Sequence, residues 1–260
     1  MFNNNQFSDL FNKEKFLIIK KFFNDPEVSF INKIKDQIYN DNFERIENTR
    51  FVINSFDNEI LSLAKNKKIV DLVKILLMHQ DLSLYMGRIL IKDEKSNANI
   101  TPHQDVAYFH GTPNKLNIFI FITGNSLKNG GLSFAPNTSK YGLMPKGNIP
   151  VENFQYNHLC PNLSNNDIIV SDFYTWHWSN KIINSGHKRI IIQLTFQSSE
   201  CGSYSDLFSI NRPVLISGEW KTKNFFSLKE SQPSNKDNTP QISDKNLPNI
   251  DEIKYTISYL

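Results

Sequence analysis

Cysteine is nearly absent: the 260 residues hold two, Cys160 and Cys201. That excludes a disulfide scaffold and a cysteine-rich zinc site, and it makes a reducing cytoplasmic compartment the expectation. Arginine is scarce as well. Of 29 basic residues five are Arg, at 45, 50, 88, 189 and 212. No block of like charge stands out against a net charge of +3, so a nucleic-acid stripe is not expected. Long apolar runs are missing. The strongest, Ile118 to Ile122, is strand length and far short of the ~20 residues of a membrane span. The opening MFNNNQFSDL lacks a basic region followed by an apolar stretch, so neither a signal peptide nor a membrane partner is expected.

What is present suits a core. Hydrophobic residues make up 39% and include 20 Phe, which favours sheet interiors over a helical bundle. The abundance of Asn, Lys and Ile fits an AT-rich coding bias, under which each surviving Arg merits attention. Residues 1 to about 80 read as helical. Asp25 is the expected N-cap with Pro26 at the first helical position, and Val28, Ile31, Ile34 and Ile38 recur at helical spacing. A second helix is expected from Asp57 to Met78, with Ile69, Leu72, Val73 and Leu76 on its buried face. From Leu82 the texture turns to short β-rich runs: 82–92, 116–123, 131–135, 167–173 and 189–197. Turn signals separate them, notably Asn129-Gly130-Gly131 and Asn165-Asn166-Asp167. Helices followed by many short strands predict an α+β, mainly β fold with an antiparallel sandwich or barrel. The domain plan is a single domain over 1–228, helical to 80 with its β core at 81–200, and a polar segment at 229–260. Residues 253–260 alternate and form a candidate short docking element.

The stretch that carries chemistry is Thr101-Pro102-His103-Gln104-Asp105. An H-x-D on a strand sets an imidazole and a carboxylate on one face, able to chelate one metal. His177, after the 167–173 strand, is the candidate third ligand. Two His and one carboxylate on one octahedral face form the facial triad of non-haem Fe(II) oxygenases. Alone, H-x-D is also what a surface His beside a capping Asp looks like. Its company matters. Arg189 opens the strongest strand twelve residues after His177 and can grip a carboxylate with two parallel bonds, as a 2-oxoglutarate cosubstrate requires.

In this order the residues resemble the phytanoyl-CoA dioxygenase family of Fe(II)/2-oxoglutarate oxygenases. Ile89 to Lys92, then His103-Gln104-Asp105 with Tyr108 beyond, is similar to the family's strand-Lys and H-Q-D segment. Asn129 to Lys140 resembles its NGxLxxxPGSHK turn. Asn166-Asp167 stands at its Gly-Asp, and His177-x-Ser179, Asn184-Ser185 and Arg189 resemble its H-x-S…N-x-S…R ending. The resemblance covers roughly residues 80–200. It implies a double-stranded β-helix, a jelly-roll barrel with N-terminal helices packed outside. It implies Fe(II) on His103, Asp105 and His177, and 2-oxoglutarate with its far carboxylate on Arg189 and Ser179. Lys92 belongs with this cosubstrate set, and Phe119 falls where relatives often place a Trp. Dioxygen is the oxidant, and a carboxylate at 105, where halogenases of the family carry a small residue, argues for hydroxylation, with desaturation or ring closure as alternatives. Two departures are expected to be harmless: Asn137 and Asn166 replace Gly, and Asn tolerates a left-handed turn.

The substrate is less legible. Met86, Arg88, Leu90 and Lys92 share a strand face, which is either the barrel interior, where Arg88 or Lys92 would meet an anion, or a solvated exterior. Tyr108, Phe109, His110, Asn117 and Trp176 are candidate pocket residues. A mixed lining predicts a small, partly polar metabolite. The rival outside enzymology is a non-catalytic jelly-roll binding module, which the intact set of His103, Asp105, His177 and Arg189 disfavours. A zinc hydrolase leaves Arg189 without a role. Oligomeric state is not legible.

Overall fold

The computed structural model describes residues 4–40, 49–51, 58–94, 97–107, 114–143, 158–183, 186–199, 208–227 and 256–258. The N-terminal part is α1 (Asn4–Glu14), β1 (Phe16–Lys20), α2 (Asp25–Asn40), β2 (Thr49–Phe51), α3 (Asn58–Ala64) and α4 (Lys67–Leu77). The β part is β3 (Leu82–Lys92), β4 (Ile100–His103), β5 (Lys115–Phe121), β6 (Leu132–Ala135), β7 (Ile168–Asp172), β8 (Trp176–Ser179), β9 (Arg189–Ser198), β10 (Phe208–Ile216), β11 (Glu219–Ser227) and β12 (Thr256–Ser258). The major sheet runs β11-β10-β3-β9-β5-β7-β1-β12, with β2 also on β3. The minor sheet is β4-β8-β6. Among these pairs only β1 with β12 is parallel. This is the predicted jelly-roll with helices outside.

β3, β5 and β9 of the major sheet are buried on both faces, and alternation divides the labour. Ile190, Ile192, Leu194 and Phe196 of β9, with Leu116, Ile118 and Ile120 of β5, join the helices in one apolar cluster. The opposite face supplies Phe119, Phe121, Leu90 and Ile191, which pack with Phe134 and Leu132 of the minor sheet. The first cluster clamps helices to sheet; the second fills the barrel. Doubly buried strands explain the near-continuous apolar runs of the sequence.

Three local expectations are corrected. The N-terminal region is not wholly helical: Phe16–Lys20 is a strand paired with β7. Its five residues alternate between the barrel cluster (Phe16, Ile18) and the helix cluster (Leu17, Ile19). A short run apolar on both faces has no period that separates strand from helix. The cap of α2 sits one residue earlier than expected. Asn24 Oδ1 accepts from Glu27 N–H (3.1 Å) and Glu27 Oε2 accepts from Asn24 N–H (2.8 Å), a reciprocal capping box. The second helix is two, broken where Asn66 caps α4 by accepting from the amides of Lys68 and Ile69. Beyond the expected β core, β10 and β11 extend the major sheet from β3. Of the C-terminal element, 256–258 does dock, beside β1; the polar stretch 229–249 lies outside the described residues.

Asn137 holds a left-handed conformation (φ 60°) as expected. Asn166 does not, being absent from the positive-φ residues. There the turn is set by Asp167, whose carboxylate accepts from the amides of Lys21 (2.8 Å) and Ser164 (2.9 Å).

Asn66 also donates from Nδ2 to Glu27 Oε1 (2.8 Å), so its amide joins α2 to the start of α4. Asn66→Ala is expected to cost about 1–2 kcal/mol, read as a lower urea midpoint at unchanged slope.

Candidate metal centre

The register of β4 on β8 sets His103 directly opposite His177, with ring centroids 4.3 Å apart. Each ring is fixed through Nδ1, His103 to the carbonyl of Thr101 (2.8 Å) and His177 to that of Thr175 (3.0 Å). A carbonyl only accepts, so Nδ1 carries a proton in each ring, and in the neutral tautomer it is Nε2 that presents the lone pair. β4 ends at His103, and Asp105 opens a short 3-10 turn through Ala107. This turn, rather than the expected strand alternation, carries the carboxylate round. Asp105 Oδ1 lies 3.7 Å from His177 Nε2 and 3.9 Å from His103 Nε2. The three ligand atoms all lie within 4.8 Å of one another. Between the ligands, Gln104 turns away and donates to the carbonyls of Gly142 and Tyr174, both at 2.8 Å, which ties the turn to the barrel wall.

The electrostatics suit a cation. Burial, then the charge of His177, pushes His103 down to about 3, so its imidazole is neutral. Burial would raise Asp105, but His177, Arg88 and His103, with the Gln193 hydrogen bond, hold its carboxyl below the usual range. Two imidazole nitrogens and one carboxylate oxygen converge within 4.8 Å of one another. That donor set fits a divalent iron with open positions. Phe119 and Phe134 pack against His177 at 5.9 and 5.8 Å between centroids and form a dry wall.

Further along the barrel lies a second charged feature. Lys92 and Arg189 are directly opposed on β3 and β9, and both are fully buried. Lys92 Nζ donates to Ser179 Oγ (2.9 Å) and the Asn180 carbonyl (2.6 Å). Arg189 donates to the Gly130 carbonyl (2.6 Å), while its Nε has no partner. Among the described residues neither cation pairs with a carboxylate. Burial and the neighbouring Arg189 push Lys92 down to about 6, and burial pushes Arg189 down to about 10. Two buried cations facing each other are costly, and an anion between them relieves the cost. The Asn129-Gly130-Gly131 turn closes this pocket. Gly130 has φ 66°, and a Cβ there would lie 3.0 Å from Lys92 Cδ and 2.9 Å from the Asn180 oxygen.

Most sequence candidates converge. His103, Asp105 and His177 meet; Arg189, Lys92 and Ser179 meet; Phe119 lines the barrel between the sheets. The face of Arg88 is the interior: its Nε donates to Gln193 Oε1 (2.6 Å) and its Nη2 lies 3.6 Å from Asp105 Oδ1. Two substrate candidates are corrected. Trp176 neighbours His177 on β8, so pleating sends it to the opposite face, where it pairs with Ala135. Asn117 is occupied in holding Asp105, donating to Oδ2 at 2.7 Å. Tyr108, with Phe109 and His110, lies outside the described residues. Arg189 also does not lie on a strand adjacent to the distal histidine: β9 belongs to the major sheet and β8 to the minor one. Gln193 was not singled out in the sequence, and Gln104 and Gly130 stood there only within their motifs, without the roles the structure gives them. The signal for Gln193 was available, since Arg189, Gln193, Thr195 and Gln197 fall on one face of a strand whose other face is wholly apolar.

No curated protein matches this chain in sequence. Among solved structures, EctD from S. alaskensis, crystallised with 2-oxoglutarate and 5-hydroxyectoine, is 16% identical, covering 76% of this chain and 77% of its own, with a TM-score of 0.67. The epimerase SnoN from nogalamycin biosynthesis, in complex with Fe3+, alpha ketoglutarate and nogalamycin RO, is 14% identical over 75% and 84% of the two chains, with a TM-score of 0.62. The carbocyclase SnoK from the same biosynthesis is 12% identical over 75% and 83%, with a TM-score of 0.61. These likenesses are of fold. In sequence, the phytanoyl-CoA dioxygenase family matches residues 12–190, a span that contains the three converging ligands and both buried cations, and the chain belongs to that family of iron- and 2-oxoglutarate-dependent oxygenases.

Proposed function

We propose that this oxygenase hydroxylates an unactivated C–H bond of a small, partly polar metabolite, with iron held by His103, Asp105 and His177 and 2-oxoglutarate reaching from the iron to Lys92 and Arg189. The observation that carries the reading is the opposed pair of buried basic side chains in the same barrel as a convergent triad of candidate metal ligands. When bound, iron supplies the oxidative chemistry, in which dioxygen and 2-oxoglutarate are consumed and succinate and carbon dioxide leave.

The chain's own residues bind, orient and exclude. The two imidazoles and the Asp105 carboxylate would hold the iron. Arg189 receives the far carboxylate of the cosubstrate on its guanidinium, with Lys92 opposite and Ser179 holding the Lys92 amine in place. Phe119 and Phe134 keep water from the histidine side. A carboxylate at 105 leaves no ligand position for a halide, which supports hydroxylation. The solved relatives include an epimerase and a carbocyclase, so the product decides between outcomes. The direct test is a screen of metabolite pools for a product heavier by one oxygen atom, formed only with Fe(II), 2-oxoglutarate and dioxygen. A product lighter by two hydrogens would replace hydroxylation with desaturation. A protein that, iron-loaded, fails to bind 2-oxoglutarate would return the reading to a non-catalytic barrel.

His103→Ala and His177→Ala are each expected to abolish stoichiometric Fe(II) binding, measured by anaerobic titration, because two remaining donors compete poorly with water. Arg189→Ala leaves one end of the cosubstrate unpaired in a dry pocket, which costs roughly 2–5 kcal/mol, about 30-fold to several thousand-fold in 2-oxoglutarate affinity. Arg189→Lys keeps the charge without the fork and falls between. Equal affinities for all three would make Arg189 a structural cation only.

Lys92 sets a pH dependence. Its amine, pushed down to about 6, is mostly neutral at pH 7.5 in the free protein. An incoming carboxylate raises it, so binding takes up a proton. Affinity should weaken as pH rises above about 6, by up to roughly tenfold per unit. Calorimetry at pH 7.5 in buffers of different ionisation enthalpy should report uptake approaching one proton, and Lys92→Met should remove it.

A further inference from the structure

Behind the ligand face of Asp105 lies a closed set of buried polar side chains. Asp105 Oδ2 accepts from Asn117 Nδ2 (2.7 Å) and from Gln193 Nε2 (3.0 Å). The second N–H of Gln193 reaches Asn117 Oδ1 (3.0 Å), which also accepts from Thr195 Oγ1 (2.7 Å). Gln193 Oε1 accepts from Arg88 Nε (2.6 Å). Asn117, Gln193, Thr195 and Asp105 are all buried to 1% exposure or less. They come from β5, β9 and the turn after β4, and the barrel interior is where those elements meet.

The donors and acceptors admit one arrangement. A guanidinium only donates and an ionised carboxylate only accepts. A carboxamide between them has one end for each, so Arg88 forces the oxygen of Gln193 toward itself and the nitrogen toward Asp105. Thr195 and Gln193 together claim the oxygen of Asn117, which turns its nitrogen to Asp105 as well. Both amide nitrogens therefore fall on Oδ2, and Oδ1 alone faces the two imidazoles.

We propose that Asn117 and Gln193 are positioning residues that restrict Asp105 to one-oxygen coordination, and that Arg88 sets the polarity of Gln193. The proposal rests on the metal reading above and deepens it. With Oδ2 held back, the carboxylate occupies one coordination position rather than two, and three remain for the cosubstrate's two donor atoms and dioxygen. Arg88 acts here through Gln193 and also directly, its Nη2 lying 3.6 Å from Asp105 Oδ1; Gln193→Glu, which keeps Arg88, isolates the part carried by Gln193.

Cobalt(II) is the probe, because its visible absorption reports coordination number without turnover. Asn117→Leu and Gln193→Met preserve volume and remove the donor. Each is expected to weaken metal binding by about 10–100-fold and to change the cobalt band pattern as Asp105 swings to two-oxygen binding. Gln193→Glu keeps its size and its bond to Arg88 but points an acceptor at Asp105, so it should lose metal affinity while staying folded. Arg88→Met should share the spectral change, and Arg88→Lys, which retains a donor, should restore much of the wild-type spectrum. A merely structural role would lower the melting temperature of these variants and leave the cobalt spectrum of the folded protein untouched. Wild-type spectra and affinities in folded Gln193→Glu and Asn117→Leu would overturn the positioning role alone. Failure of the wild-type protein to take up cobalt would overturn the metal reading and this inference together.

Discussion

The register between β3 and β9 is the constraint on which the interior depends. One ten-residue pairing places Lys92 against Arg189, Leu90 against Ile191 and Arg88 against Gln193. The first pair sets two buried basic side chains together, the second fills the dry middle, and the third braces Asp105. Because strand side chains alternate, a slip of one residue would turn all three pairs outward and drive Ile190, Ile192 and Leu194 into the barrel. The apolar face packed on the helices thus protects the polar face within. Ile118, Ile120, Leu72 and Val73, remote from the chemistry, hold the register by making every alternative expose them.

Within that frame charge is handled in two ways. Around the triad it is compensated: one carboxylate accepts from two amides and lies near a guanidinium, and both imidazoles are held through Nδ1 by carbonyls. Around Lys92 and Arg189 it is left uncompensated among the described residues, with an orphaned Arg189 Nε. Buried groups that are fully satisfied stiffen a core, and unsatisfied ones store a cost that a ligand can remove. The first arrangement suits a site that must keep its shape when a metal enters. The second suits a site whose occupant arrives and leaves with each turnover.

The minor sheet completes the arrangement with few residues. β4 and β8 are four residues each, yet their antiparallel pairing supplies both histidines, Phe134 on β6 packs on one of them, and Asp172 braces the preceding turn by accepting from Thr175. Thr175 in turn orients His177 through its carbonyl. Short strands serve here because the large sheet carries the stability.

The candidate ligands and the cation proposed for the cosubstrate were legible in sequence because they sit in ordered local motifs: H-x-D, a glycine turn, and an arginine that survives in an arginine-poor chain and opens an apolar strand. Helices before strands told the fold class because period and turn chemistry are local properties. Other features were not local. Phe16–Lys20 is a strand because β7 pairs along its edge while the helices cover one face and the barrel cluster the other. Trp176 leaves the site because His177 enters it, and the direction of a pleat is set by what lies on each side. The amides of Asn117 and Gln193 are ordinary polar residues on apolar strands until β5 and β9 bring them within 3 Å of Asp105. Sequence by itself determined which atoms were available for metal and anion. Tertiary structure decided which oxygen of Asp105 faces the two histidines and which buried cations lack a carboxylate among the described residues, because hydrogen-bond partners more than seventy residues apart in the chain meet only when the barrel closes.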